Sequence, residues 1–166
     1  IHPPLILMNA GPLQHFEAWD IHNEGTQPAI RAVTDALDNE RILLRLALGY
    51  GAPHFPLADH YDDSREEWMY GDCSHRKLTD SGDWREKIDL ETHRYMREDV
   101  AMGLVFLATL GDWAKVDMPL SKGLIAIASA VLGEDLLQGD RAWGGLGLGG
   151  INREALGALL REGFAQ

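Results

Sequence analysis

The sequence has few cysteines and few basic residues. Its one cysteine, Cys73, leaves no partner for a disulfide within the chain, which favours a reducing compartment and a cytoplasmic location. Lys and Arg number 15 against 26 Asp and Glu, so the net charge at pH 7 is −11. A chain this acidic is not expected to bind nucleic acid or an anionic membrane surface. No apolar run approaches the ~18 residues that predict a membrane span.

Convincing strand patterns are also absent, and nearly every regular segment has helical periodicity. The clearest helix is predicted from Thr26 to Leu48, where apolar residues recur at spacings of three and four. Thr26 is the expected N-cap of this helix, and Gly49 is expected just after its end. The sequence therefore predicts an all-α fold of about six helices, packed around the apolar segment near Val100–Leu110.

Further helix boundaries are marked by residues that commonly start or stop helices. They are Pro3 and Pro4 at a first helix, Gly11 and Pro12 at its end, Pro119 and Gly133 around a buried helix, and Asn152 as the cap of a last one. Residues 71–92 are polar and lack periodicity, so they are predicted to form a long loop, which inside a compact domain is often functional.

Two groups of residues imitate known binding motifs but lack the required context. Gly145, Gly147 and Gly150 fit G-x-G-x-x-G by letter, yet no strand is predicted before them, so a helix connector is the better interpretation. The other group comprises His54, His60, Cys73 and His75. Their spacing matches no standard zinc pattern, so we predict no metal site.

The stretch "HRYMREDV" carries the densest chemistry in the chain. Arg94, Glu98 and Asp99 precede the most apolar predicted helix. One interpretation is a solvated helix start, in which the carboxylates favour the positive end of the helix dipole. The other is a site, because a helix that is apolar all round is buried and charges at its start then need partners. His2 leaves the same choice open: Pro3 holds it extended, which suits a site without requiring one.

Several segments resemble the C-terminal helical domain of the opine dehydrogenases, the octopine/nopaline dehydrogenase family. The resemblance runs from "HPPLILMNAG" through "EGTQPAIRAVTDALDNERILLRLALG" and "HRYMREDVAMGLVFLATLG" to "MPLSKGLIAIASAVLGEDL". It implies a fold similar to the C-terminal domain of 6-phosphogluconate dehydrogenase. It also implies an N-terminal Rossmann domain that binds NAD or NADP and is absent from this chain. The abrupt start without Met agrees with such a fragment, and residues 1–166 are then one helical substrate domain, inactive alone.

The resemblance also implies roles for three residues. His2, in the "H-P" pair, matches the family's catalytic histidine; Asp99 matches its aspartate partner; and Arg94 matches the arginine that binds the keto-acid carboxylate. The implied reaction is the reductive condensation of an amino acid with a 2-keto acid, or the reverse oxidation. Histidine suits the proton transfers, and a guanidinium can bind a carboxylate through two parallel hydrogen bonds.

Two other classes of protein remain open from the sequence. A non-catalytic helical module for assembly would use the same apolar helices without the chemistry, and a homodimer is an assembly to test in either case. A metal-dependent hydrolase would use the histidines and Cys73 and would contain metal by elemental analysis.

Overall fold

The computed structural model describes residues 1–61 and 87–163, and the regular secondary structure within them is entirely helical. They form six α-helices: α1 (His2–Met8), α2 (Ala10–His15), α3 (Pro28–Ala47), α4 (Val105–Ala114), α5 (Pro119–Leu132) and α6 (Arg153–Glu162). A π-helical segment, Tyr95–Leu104, runs directly into α4. Two 3-10 turns, Leu57–Tyr61 and Leu136–Gln138, complete the described elements. The all-α prediction with about six helices is therefore confirmed.

The core lies where α1, the π segment, α4 and α5 pack together, with α3 across one side. Ile6, Met96, Val100 and Ile125 are fully buried there. The π segment is buried on one side only: Val100 and Leu104 lie in the core, whereas Met102 keeps 42% of its surface exposed. The start of this helix consequently lies at the boundary between core and solvent.

A buried carboxylate joins α3 to α5. The Glu40 side chain accepts hydrogen bonds from the backbone N–H groups of Leu120 (2.6 Å) and Ser121 (2.9 Å), and from the Ser121 hydroxyl (2.6 Å). These groups stand at the first turn of α5, where N–H groups lack intrahelical partners. Glu40 thus caps a neighbouring helix from a position 80 residues earlier in the chain.

The helix boundaries agree with the sequence in some places and differ in others. Pro119 opens α5, Gly133 follows it with φ +66°, and the Asn152 side chain accepts from the Ala155 N–H at 2.9 Å, as predicted. Thr26 is not the N-cap of α3: Gln27 occupies that position and Pro28 begins the helix. This prediction was wrong because the Thr26 hydroxyl instead donates to the Ile21 carbonyl.

The first helix ends earlier than predicted, at Asn9 rather than at Gly11–Pro12, and both of these residues lie inside α2. The Asn9 amide donates to the carbonyls of Leu5 and Gly25 and accepts from the Trp19 indole. These bonds anchor the segment between α2 and α3 against α1. Of the predicted loop at 71–92, residues 71–86 lie outside the described part, while Ile88 and Leu90 belong to the core.

Candidate active site

His2 and Asp99 meet at the edge of the core. His2 Nδ1 lies 3.2 Å from Asp99 Oδ2, across 97 residues of sequence. His2 is the first residue of α1, so the prediction that Pro3 holds it extended was wrong; Pro3 and Pro4 after it are buried. The two side chains keep 30% and 34% of their surface exposed, respectively, so the pair is accessible from solvent.

The hydrogen bond determines which imidazole nitrogen remains for chemistry. Ionised Asp99 can only accept, so Nδ1 of a neutral His2 carries the hydrogen and donates it. Nε2 then keeps its lone pair and forms no hydrogen bond with the part of the chain that the structure describes. An imidazole held in this tautomer by a carboxylate can act as a base through Nε2.

The protein environment keeps His2 neutral near pH 7. Burial lowers the pKa of His2 from 6.5 to about 4. The negative charge and hydrogen bond of Asp99 oppose this shift, while the ring of His22 adds to it.

Aromatic and imidazole rings surround His2 on the core side. The ring of Tyr95, a residue only 5% exposed, lies parallel to the His2 ring with centroids 3.7 Å apart and planes 8° apart. The Tyr95 hydroxyl is 3.3 Å from His22 Nε2. A tight turn positions His22, whose backbone N–H donates a hydrogen bond to the Asp20 side chain. Tyr95 belongs to the dense stretch noted in the sequence, but His22 gave no signal there beyond a polar turn.

The π-helical segment places Arg94 and Asp99 on adjoining turns. Hydrogen bonds in a π-helix join residue i to residue i+5, so residues five apart are separated by about one turn. Arg94 precedes the segment as its N-cap, and the structure gives no contact between its side chain and that of Asp99. That the two side chains face one cleft therefore stays a prediction.

Arg94 itself is exposed. Its side chain keeps 66% of its surface exposed, and its Nε lies 3.7 Å from Glu98 Oε2. Exposed ion pairs of this kind contribute roughly 0.3–0.5 kcal/mol, and the order Arg before Glu is the weaker orientation on a helix. An incoming carboxylate would therefore displace Glu98 at little cost.

The other candidate motifs form no site in the described residues. His54 Nδ1 accepts from the Arg45 guanidinium at 3.3 Å. No group of three potential metal ligands occurs in residues 1–61 and 87–163. The side chain of His60, together with Cys73 and His75, lies outside what the structure describes. The glycine-rich segment 144–150 forms turns, and the described residues before it contain no strand.

The described residues therefore form a helical domain with a His–Asp pair at the edge of its core. The family model described as NAD/NADP octopine/nopaline dehydrogenase, alpha-helical domain, matches residues 1–132. The chain therefore belongs to that family, and the resemblance seen in its motifs is confirmed.

Three relatives illustrate how much of a full protein this chain represents. An opine dehydrogenase of Arthrobacter sp. (strain 1C) is 27% identical, over 91% of this chain and 42% of its own length. Protein ocs of Agrobacterium vitis is 32% identical, over 93% and 47%. Vitopine synthase of Allorhizobium ampelinum is 29% identical, over 92% and 42%. The chain thus spans less than half the length of these relatives.

Within the described residues, no helix combines the length and apolar character needed to cross a bilayer.

Proposed function

We propose that residues 1–166 form the substrate-binding and catalytic helical domain of an NAD(P)-dependent opine dehydrogenase. The full protein would condense an amino acid with a 2-keto acid reductively, or run the reverse oxidation, in the cytoplasm. The observation that carries the proposal is the 3.2 Å contact between His2 Nδ1 and Asp99 Oδ2, which leaves Nε2 available beside solvent. Similarity to the 6-phosphogluconate dehydrogenase domain is part of the same proposal.

Among the described residues no strand precedes the glycine-rich segment, so this segment does not form the strand–turn–helix that holds a dinucleotide in a Rossmann domain. The cofactor would be bound mainly by an N-terminal Rossmann domain, and when bound it supplies the hydride that reduces the imine carbon.

The residues of this chain would handle protons and orientation. Neutral His2 would take a proton at Nε2 from the attacking amine as its nitrogen bonds to the keto carbon. The imidazolium, stabilised by Asp99, would give that proton to the keto oxygen, which becomes a hydroxyl. A second transfer by the same route would carry the remaining amine proton to this hydroxyl, which leaves as water as the C=N bond forms. Arg94 would hold the keto-acid carboxylate through two hydrogen bonds and so fix its orientation.

Steady-state kinetics of the full-length protein with saturating cofactor and varied keto acid test these roles. Arg94→Ala should raise the keto-acid KM about 10- to 100-fold, since a charge-assisted hydrogen bond contributes roughly 1.5–3 kcal/mol. Arg94→Lys should recover only part of this affinity, because it keeps the charge but loses the two-pronged geometry. His2→Ala should instead lower kcat by roughly 10²–10⁴-fold.

Matched controls are Arg161→Ala, on exposed α6, and His15→Ala, at the exposed end of α2. Both should behave as wild type. Wild-type keto-acid affinity in both Arg94 variants would show that this arginine is only part of a solvated helix start. Unchanged kcat in His2→Ala would show that His2 is not the base, and absence of dehydrogenase activity in the full-length protein would favour the non-catalytic assembly module.

A further inference from the structure

The parallel stack of Tyr95 on His2 is more than core packing requires. Buried aromatic rings commonly pack edge-on or offset, and their partners in the core are aliphatic side chains. Tyr95 instead places its whole face against a partly exposed histidine, at 3.7 Å between centroids. The contact crosses from the start of the π segment to the start of α1.

Tyr95 is itself held from two further directions. The His22 ring meets it edge-on, with planes at 89°, and His22 Nε2 is 3.3 Å from its hydroxyl. The His93 ring packs nearly perpendicular to the Tyr95 ring, with centroids 4.5 Å apart and planes at 83°. Its orientation is therefore fixed independently of His2, so Tyr95 can serve as a reference surface for the histidine.

The hydrogen bond to Asp99 alone does not fix the direction of His2 Nε2. Small rotations about the Cα–Cβ and Cβ–Cγ bonds of His2 can keep Nδ1 near Asp99 while they tilt the imidazole plane and move Nε2. A flat ring held against one face of the imidazole removes that freedom, because any swing drives the two rings into overlap. Asp99 and Tyr95 together thus determine both the tautomer and the plane of the ring.

We propose that Tyr95 is a positioning residue that fixes the plane of the His2 ring, and that His22 holds Tyr95 in place through its hydroxyl. The catalytic consequence rests on the proposed function of His2, whereas the geometry does not. A base whose reactive nitrogen can swing away from the substrate loses much of its rate advantage, because misplacement by about 1 Å can cost about 10²-fold.

The stack of Tyr95 on His2 can be tested on this chain by NMR. In the wild type, nuclear Overhauser contacts should join the carbon-bound ring protons of His2 to those of Tyr95. The stack should also displace these His2 protons upfield, since they lie over an aromatic face. Tyr95→Leu should abolish the displacement, Tyr95→Phe should retain it, and Tyr50→Leu, at an exposed tyrosine, should leave the His2 signals unchanged.

The effect of Tyr95 on catalysis can be tested on the full-length protein. Tyr95→Leu should lower kcat about 10- to 100-fold with keto-acid KM within about threefold of wild type, while Tyr95→Phe should restore kcat to within a few-fold. A melting temperature by circular dichroism confirms that each variant is folded. The wild-type Overhauser contacts need no variant, so they test the stack even if Tyr95→Leu does not fold.

Absence of those contacts in the wild type would overturn the inference. So would a kcat for Tyr95→Leu equal to wild type in a protein whose activity depends on His2, and the proposed function would then stand alone. Full activity in His2→Ala would overturn the proposed function and, with it, the proposed effect of Tyr95 on catalysis. The Overhauser contacts would still show whether Tyr95 stacks on His2.

Discussion

His2 should remain neutral to unusually low pH, because its surroundings lower the pKa of its ring. Burial lowers its pKa from 6.5 to about 4. A shift of about 2.5 pKa units corresponds to at most about 3 kcal/mol in favour of the neutral ring, at a side chain 30% exposed and thus partly screened by solvent. At pH 7 almost all molecules would carry neutral His2, which is the form a general base requires.

The sign of the linked stability change follows from the lowered pKa. Above pH 6.5 neither the folded nor the unfolded state binds a proton at His2, so its contribution is constant. Between pH 6.5 and about 4 the unfolded chain binds that proton and the folded chain does not, so folding becomes less favourable as pH falls. Below about pH 4 both states are protonated and the change ends.

The carboxylate partner gives a second, independent perturbation. The charge and hydrogen bond of Asp99 both raise the pKa of His2, against the larger effect of burial. Asp99→Asn removes the charge, so the pKa of His2 should move further below 6.5 than in the wild type.

Both effects can be measured on the isotope-labelled chain. The His2 ring resonances, assigned with His2→Ala, are followed from pH 8 to pH 3 by NMR, with exposed His15 as an internal comparison. Urea unfolding at pH 6.5 and pH 4 should show a loss in the wild type that exceeds the loss in His2→Ala by up to about 3 kcal/mol. Titration of His2 near 6.5, or a higher pKa in Asp99→Asn, would refute the reasoning.

Two stability predictions follow from helix packing, each read from urea unfolding of this chain. Glu40→Ala should lower the unfolding free energy by about 3–5 kcal/mol, because buried donors at the start of α5 lose a charged acceptor. Glu40→Gln keeps one acceptor oxygen, so it should lower the unfolding free energy by less. Gly111→Ala should cost about 1–3 kcal/mol, since the new methyl group would overlap buried Met118, whereas Gly123→Ala, with open space around it, should stabilise α5 by about 0.5–1 kcal/mol. Equal effects of the two glycine substitutions would contradict this packing.

Much of the secondary structure was determined locally, by residues whose own geometry starts or stops a helix. Pro119 has no N–H to satisfy and Gly133 adopts a positive φ at no steric cost, so both ends of α5 were readable from sequence. The Asn152 cap is local for the same reason. The apolar periodicity likewise predicted α3, because this spacing indicates a helix even when the residues that it packs against are unknown.

Boundaries that depend on distant partners were not readable in this way. Asn9 ends α1 because its amide bonds to Leu5 and Gly25 and accepts from Trp19, a network that exists only after folding. The π-helical register of residues 95–104 is likewise invisible in the letters, because an i→i+5 pattern follows from packing and not from residue type.

The candidate site also combines features that the sequence predicted with features that depend on tertiary packing. The sequence placed charges before an apolar helix and a histidine before two prolines, and resemblance to a family suggested that His2, Asp99 and Arg94 belong together. Only the tertiary structure decided that His2 Nδ1 meets Asp99, that Tyr95 lies flat against the imidazole, and that His22 holds that tyrosine. Side-chain contacts across 73 to 97 residues depend on how helices pack, and no local pattern in a single sequence encodes that packing.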